Sequence, residues 1–93
     1  MIAIEIFYNM ALCYQKLGQL EECALCLETC LDHLGTEFHN LQNKSIAMRL
    51  LKLKLECKVR MQLCAILSQL HRHKEALDQA YESAKLCNAI VND

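Results

Sequence analysis

The chain of 93 residues has no proline and only two glycines, Gly18 and Gly35. Because proline breaks helices and glycine weakens them, this composition favours long, uninterrupted helices. The chain also lacks an apolar run of the roughly 18–20 residues that span a bilayer. Its first residues lack the basic start and the cleavage site of a signal peptide. We therefore expect a protein of the cytoplasm, with the nucleus as the alternative, and no membrane partner.

The chain also lacks a strong net charge, which is −1 at pH 7. A balanced chain has no global attraction for nucleic acid or anionic membranes. The charge is nevertheless uneven, since residues 1–37 are acidic and residues 38–60 are basic. The basic run at residues 44–60 is either a solvated face partly paired with the acidic second helix or a site for an acidic protein segment. Nucleic acid is disfavoured because no aromatic residues interleave the bases.

Hydrophobic residues make up 54% of the chain. This share is above the roughly 45–50% of an average soluble domain. Either each helix buries more than one face, or part of the apolar surface is covered by another chain or by further repeats. We expect one all-α domain over residues 1–93, formed by helical hairpins at about 2–35 and 40–91 and belonging to a longer protein.

Periodicity predicts a first hairpin with helices at residues 2–17 and 20–34, joined by a turn at Gly18. Glycine takes the left-handed backbone conformation without steric cost, so it ends the first helix, and Gly35 is expected to end the second. The first helix has one apolar stripe at Ile6, Met10, Cys13 and Leu17, and Phe7, Ala11 and Tyr14 lie beside it. The stripe of the second helix is Leu20, Cys23, Leu27, Cys30 and Leu34.

The second hairpin is predicted to have a lengthened first helix, from about residue 40 or 45 to residue 70. Two apolar stripes on this helix indicate that it lies between two layers. One stripe is Met48, Leu51, Leu55, Val59, Leu63, Ile66 and Leu70. The other is Ile46, Leu50, Leu53, Cys57, Met61 and Cys64. After a polar turn, the fourth helix covers about residues 74–91 with the stripe Leu77, Ala80, Ala84, Cys87 and Ile90.

Seven cysteines all fall inside helical patterns, and their number is odd. This is typical of reduced, buried thiols rather than of a disulfide framework. The candidate metal ligands are Cys23, Cys26, Cys30 and His33. Four ligands strung along three turns of one helix cannot converge on one ion, so we expect core packing and no metal.

The four histidines lie near predicted turns, and nothing in the sequence places a nucleophile or a carboxylate beside them, as catalysis requires. We expect solvated turn residues, with a pH-sensitive or metal contact as the alternative, and neither an enzyme nor a cofactor site. The histidines are His33, His39, His71 and His73.

Residues 7–34 resemble a tetratricopeptide repeat, a helix–turn–helix unit. Its aromatic, Leu-Gly and tyrosine positions correspond here to Phe7, Met10-Ala11 and Tyr14, followed by Leu17-Gly18, Cys23, Leu27 and Cys30. A weaker copy follows at residues 60–86, with Arg60 for the aromatic, Leu67 for the tyrosine and His71 for the glycine. The distance from residue 18 to residue 71 is 53 residues, where adjacent copies are about 34 apart.

The resemblance implies a scaffold for protein–protein interaction, in which the first helices of successive repeats line a groove for a partner peptide or helix. The implied groove residues are Glu5, Tyr8, Asn9, Leu12, Gln15, Lys58, Met61, Gln62, Ala65 and Gln69. Glu5 stands where family members that grip a C-terminal carboxylate have a lysine, which disfavours that activity. The alternative function is self-assembly, either as a homodimer or otherwise, through the long third helix, with Leu51, Leu55 and Val59 buried between chains.

Overall fold

The computed structural model describes residues 2–37 and 45–92, and the side chains of residues 3–36 and 45–88. Within these residues there are four helices, namely α1 (Ile2–Lys16), α2 (Leu20–Glu37), α3 (Ile46–Gln69) and α4 (His73–Asn92). Contacts join α1 to α2, α2 to α3 and α3 to α4. The predicted all-α fold with four helices and a long third helix is confirmed. The loop expected between α2 and α3 lies at residues that the structure does not describe.

Local chemistry explains the start of α3 but not the end of α2. Ser45 caps α3, since its hydroxyl accepts a hydrogen bond of 3.3 Å from the amide of Met48. The predicted stop at Gly35 is wrong, because α2 continues to residue 37. A glycine inside a helix costs only about 1 kcal/mol, which the packing of the preceding turns offsets.

The two turns inside the hairpins share one backbone geometry, although they are 53 residues apart. Gly18 has a φ of 77° and His71 a φ of 62°, both in the left-handed region. In each turn, the next amide donates a hydrogen bond of 2.9 Å to the carbonyl five residues before it. The two pairs are Gln19 to Tyr14 and Arg72 to Leu67. The sequence-based match between residues 18 and 71 is therefore also a match of structure.

A contact between the two helices of each hairpin repeats with the same offset. The thiol of Cys30 donates to the carbonyl of Ile4 at 3.6 Å, and the thiol of Cys57 donates to that of Ser83 at 4.0 Å. Residues 57 and 83 lie 53 positions after residues 4 and 30. We call two positions separated by 53 residues equivalent.

The core lies between the hairpins and is centred on α2 and α3. The predicted stripe of α2 is buried, with Leu20 half-buried at its start. From α3, one stripe packs against α2 while Cys57 contacts α4, so the prediction that α3 lies between two layers is confirmed. The largest fully buried side chains are Leu27, Leu34, Leu63, Ile66, Leu67 and Val59.

Two of the predicted apolar stripes do not reach this core. On α1 the stripe from Ile6 to Leu17 is exposed, and the neighbouring Ala11 is buried instead. On α4 the predicted stripe is exposed at its described positions, while Ala76 and Ser83 are buried. The exposed α4 residues are Leu77, Ala80, Ala84 and Cys87, and the side chain of Ile90 is not among those described.

Candidate partner-binding surface

Side chains from α1 and α3 meet on one surface of the molecule. The ammonium of Lys58 lies 4.8 Å from the ring centroid of Tyr8, a cation–π contact. About two turns farther along α1, the amide of Gln62 donates a hydrogen bond of 2.7 Å to the amide oxygen of Gln15. These two contacts join the first helices of the two hairpins. All four residues belong to the predicted groove, so the structure brings this part of the set together.

The remaining groove residues are mostly accessible. Met61 is 59% exposed. Leu12 is half-buried, and the other four are exposed: Glu5, Asn9, Ala65 and Gln69. The surface therefore offers amides, one carboxylate, one ammonium and apolar patches, which are groups for recognition. We call the ten predicted groove residues the α1/α3 surface.

The basic run on α3 is partly neutralised inside its own helix. Glu56 accepts contacts from Lys52 at 3.2 Å and from Arg60 at 3.0 Å. Arg60 also donates a hydrogen bond of 2.8 Å to Gln79 on α4. One interpretation of the basic run is a solvated face partly paired with the acidic second helix, whereas Lys52 and Arg60 pair with Glu56 of their own helix. Lys44 lies outside the described residues.

The acidic face of α2 pairs instead with the turn of the second hairpin. Arg72 lies 3.6 Å from a carboxylate oxygen of Glu21 and 4.0 Å from one of Glu28. Arg72 also forms a two-pronged hydrogen bond with Glu75, which lowers the pKa of that carboxyl group. Arg72, Glu21 and Glu28 line a surface cleft on the side of α2. They are solvent-accessible ion pairs, which contribute little stability individually.

The cysteines divide into core residues and accessible residues. Cys23, Cys26 and Cys30 are buried in the core, as predicted. Burial, together with the neighbouring Cys26, raises the pKa of Cys30 to about 11, so its thiol is a poor nucleophile. The prediction that all seven are buried is wrong, since Cys13 and Cys87 are exposed. They sit on the α1 and α4 stripes that the core leaves uncovered.

One cysteine pair joins distant parts of the sequence. The sulfur of Cys57 lies 3.3 Å from that of Cys87, on facing sides of α3 and α4. Burial, followed by the hydrogen bond with Cys87, raises the pKa of Cys57. Sequence reasoning missed this pair, because the two residues were assigned to different stripes. The signal that could have found it is the 53-residue equivalence, since Cys57 and Cys87 correspond to Ile4 and Leu34, which are both buried in the core.

Three of the histidines are described, and the ring of each contacts another ring. The ring of His33 stacks on that of Phe7 at a centroid distance of 5.3 Å. The rings of His71 and His73 meet edge to face at 5.8 Å, and both are exposed. His39 lies outside the described residues. Among the described residues, no group of three or more histidine, cysteine or acidic side chains is arranged to hold a metal.

The three α3 residues predicted to mediate self-assembly differ in how far the fold buries them. Val59 is 2% exposed within a single chain, because it packs in the core. Leu55 is half-buried against the same core, and Leu51 is 37% exposed. Most of this stripe is thus already covered inside one chain.

No described helix is both long and apolar enough to cross a membrane.

The comparisons with known proteins found no relative from which a function could be inferred. No family model matches the sequence, and no curated protein or solved structure matches it either.

Proposed function

We propose that the α1/α3 surface binds a segment of a partner protein and that the chain is a non-catalytic scaffold resembling tetratricopeptide repeats. The observation that carries the proposal is the pair of contacts between α1 and α3, Lys58 with Tyr8 and Gln62 with Gln15. They hold accessible polar groups of two helices at fixed separations. A peptide lying across these helices could reach donors and acceptors on both.

The charge of Lys58 favours a partner segment with a carboxylate. Lys52 and Arg60 share Glu56, whereas the contact that the structure gives Lys58 is the neutral ring of Tyr8. A carboxylate approaching this ammonium would form a charge-assisted hydrogen bond, which is stronger than a neutral one. Glu5 on the same surface would repel further acids, so we expect a peptide with one acidic residue followed by apolar or amide side chains.

A self-assembly role for the third helix has less support. It requires Leu51, Leu55 and Val59 to be free for a second chain, and Val59 is covered inside its own chain. The groove proposal requires only residues that are accessible or half-buried.

Selection from a displayed library of random peptides tests the proposal. Peptides recovered on the wild-type protein should lose at least about tenfold in affinity with Lys58→Glu, because one charge-assisted hydrogen bond contributes roughly 1.5–3 kcal/mol, which is about 10- to 150-fold. Isothermal titration calorimetry measures this change. Tyr8→Ala should also weaken binding, since it removes the ring that positions Lys58.

The matched control is Lys85→Glu. Lys85 lies 5.2 Å from the ring centroid of Tyr81, so it makes the same kind of contact on α4, away from the α1/α3 surface. This variant should bind the selected peptides like the wild type. Equal losses in Lys58→Glu and Lys85→Glu would show a non-specific charge effect and would contradict the proposal.

A further inference from the structure

Among the described residues, two apolar faces are exposed, one on α1 and one on α4, the first and last helices of the row. The first is the α1 face, formed by Ile6, Met10, Cys13 and Leu17. It includes a shallow depression at Ile6, Met10 and Cys13. The second is the α4 face, formed by Leu77, Ala80, Ala84 and Cys87. Ile6 is 52% exposed and Leu77 is 70% exposed. Such faces mark interaction sites when they are contiguous.

The interior of the same chain shows what covers faces of this kind. The positions equivalent to the α1 face are on α3 and at its C-cap: Val59, Leu63, Ile66 and Leu70. The positions equivalent to the α4 face are on α2: Ala24, Leu27, Leu31 and Leu34. These two inner sets belong to the packing between α2 and α3, where every member is buried or partly buried in one core. The uncovered faces are therefore the two halves of an interface that the chain already forms once.

We propose that the chain associates with further copies of itself head to tail, with the α1 face of one copy packed on the α4 face of the next. The occupant of each open face is thus a second copy. The contact is heterologous, because different surfaces meet, so it generates a ring or an open array rather than stopping at a dimer. Each added copy would extend the row of first helices, and with it the α1/α3 surface.

The side chains of the α1 face are similar in size to their equivalents in the interface between α2 and α3. Ile6, Met10 and Leu17 are close in volume to Val59, Leu63 and Leu70, which fill the inner interface. On the α4 face, Leu77 is larger than its equivalent Ala24, whereas Ala80 and Ala84 are smaller than theirs. The α4 face thus keeps apolar character and loses some contact area, which predicts a weaker, reversible association compared with the inner interface.

Of the two polar contacts between α1 and α3, one has an equivalent that supports association between copies. The hydrogen bond between Gln15 and Gln62 has as its equivalent a pair between Ser68 and Asn9 of the next copy. Both residues are exposed, and a hydroxyl and an amide can form a hydrogen bond. The contact of Tyr8 with Lys58 corresponds to a contact of Met61 with Glu5 of the next copy. Methionine is uncharged, so this pair has no electrostatic attraction.

Sedimentation velocity over a micromolar-to-millimolar series tests the proposal with two half-blocked variants. The wild type should show a weight-average mass that rises with concentration and passes that of a dimer. Ile6→Glu blocks the α1 face and Leu77→Glu blocks the α4 face. Each variant alone should associate about 100-fold more weakly, because a carboxylate would be buried without a partner.

A mixture of the two variants gives the decisive result. Ile6→Glu retains an intact α4 face and Leu77→Glu an intact α1 face, so the mixture should form a one-to-one dimer and nothing larger. Leu25→Glu is the matched control, since Leu25 is also an exposed leucine, 64% exposed, on the second helix of a hairpin. It should associate like the wild type.

Three outcomes would overturn the proposal. A wild type that stays monomeric at the highest concentration rules out the association. A half-blocked variant that still dimerises alone indicates an isologous contact between identical faces, and a mixture without dimers shows that the two faces do not meet. Circular dichroism confirms the fold of each variant. Leu17→Glu and Ala84→Glu, at exposed residues of the two faces, give a second pair if either fold is lost.

Discussion

The two hairpins share a backbone plan, but their second helices are covered differently. In the first hairpin, α2 packs against α1 and α3, and its predicted apolar stripe is buried. In the second, the main described contacts of α4 are with α3, and its predicted stripe is exposed. The same local pattern thus gives a core helix in one position and a surface helix in the other. Position in the row of helices, more than local sequence, decides what is buried.

The largest effect on stability should come from removing a side chain of the buried α2 stripe. Leu27→Ala should destabilise the fold by about 2–5 kcal/mol, because Leu27 is fully buried and its loss leaves a cavity. Leu77→Ala on α4 should change stability by no more than about 0.5 kcal/mol, since that side chain is exposed. Urea unfolding at low protein concentration measures both. Similar costs at the two sites would contradict the difference in coverage.

The next effect concerns the sulfur pair of the second hairpin, Cys57 and Cys87, at the positions equivalent to Ile4 and Leu34. Oxidised glutathione should convert Cys57 and Cys87 into a disulfide, because their sulfurs lie 3.3 Å apart. The exposed thiolate of Cys87 attacks the glutathione disulfide and releases one glutathione, and the Cys57 thiolate then displaces the second. Closing this loop should stabilise the fold by about 3 kcal/mol.

Peptide mapping by mass spectrometry would detect the cross-link. Cys13, which is exposed on α1, is the internal control and should stop at the mixed disulfide. A Cys87 that also stops there would show that α3 and α4 do not hold the two sulfurs together.

A smaller effect comes from exchanging the turn residues. His71→Gly should stabilise the fold by about 0.5–1 kcal/mol, because a side chain disfavours the left-handed conformation that residue 71 adopts. Gly18→His should destabilise it by a similar amount. A Cβ atom at position 18 meets no atom within 4 Å, so this exchange tests mainly the backbone conformation. Thermal unfolding of the two variants should show shifts of opposite sign, and shifts of the same sign would refute the equivalence of the turns.

An effect of similar size concerns a buried hydroxyl. Ser83 is buried at the position equivalent to Cys30, and its hydroxyl is without a partner among the described residues. Ser83→Ala should therefore stabilise the fold by about 1 kcal/mol, since an unsatisfied buried group is removed. Ser68→Ala, at an exposed site on α3, is the control, because there the same substitution changes only the helix propensity. Denaturant unfolding should separate the two variants, and equal gains would mean that the hydroxyl at 83 is satisfied by water.

Sequence reasoning predicted the four helices, the turn at Gly18 and the burial of Cys23, Cys26 and Cys30, because these depend on periodicity and local conformation. It failed where coverage decides the outcome. The periodic stripes from Ile6 and from Leu77 show that an apolar face exists, but not whether a neighbour covers it. The contact of Cys57 with Cys87 depends on packing between helices, which no local pattern reports.

For the candidate site, the sequence supplied the residues and the structure supplied their relation. The groove set came from a resemblance to a repeat family, and the structure joins four of its members in two contacts between α1 and α3. The pairing of Lys52 and Arg60 with Glu56 was not predicted, because several carboxylates are within reach in a helical chain of mixed charge.

The most direct test of the proposed function is the map of amide chemical-shift changes when a peptide recovered from the displayed library is titrated into isotope-labelled protein. The proposal predicts that the largest changes cluster on the α1/α3 surface, around Tyr8, Asn9 and Gln62. Changes centred on the cleft beside Arg72, or on the outer side of α4, would contradict it.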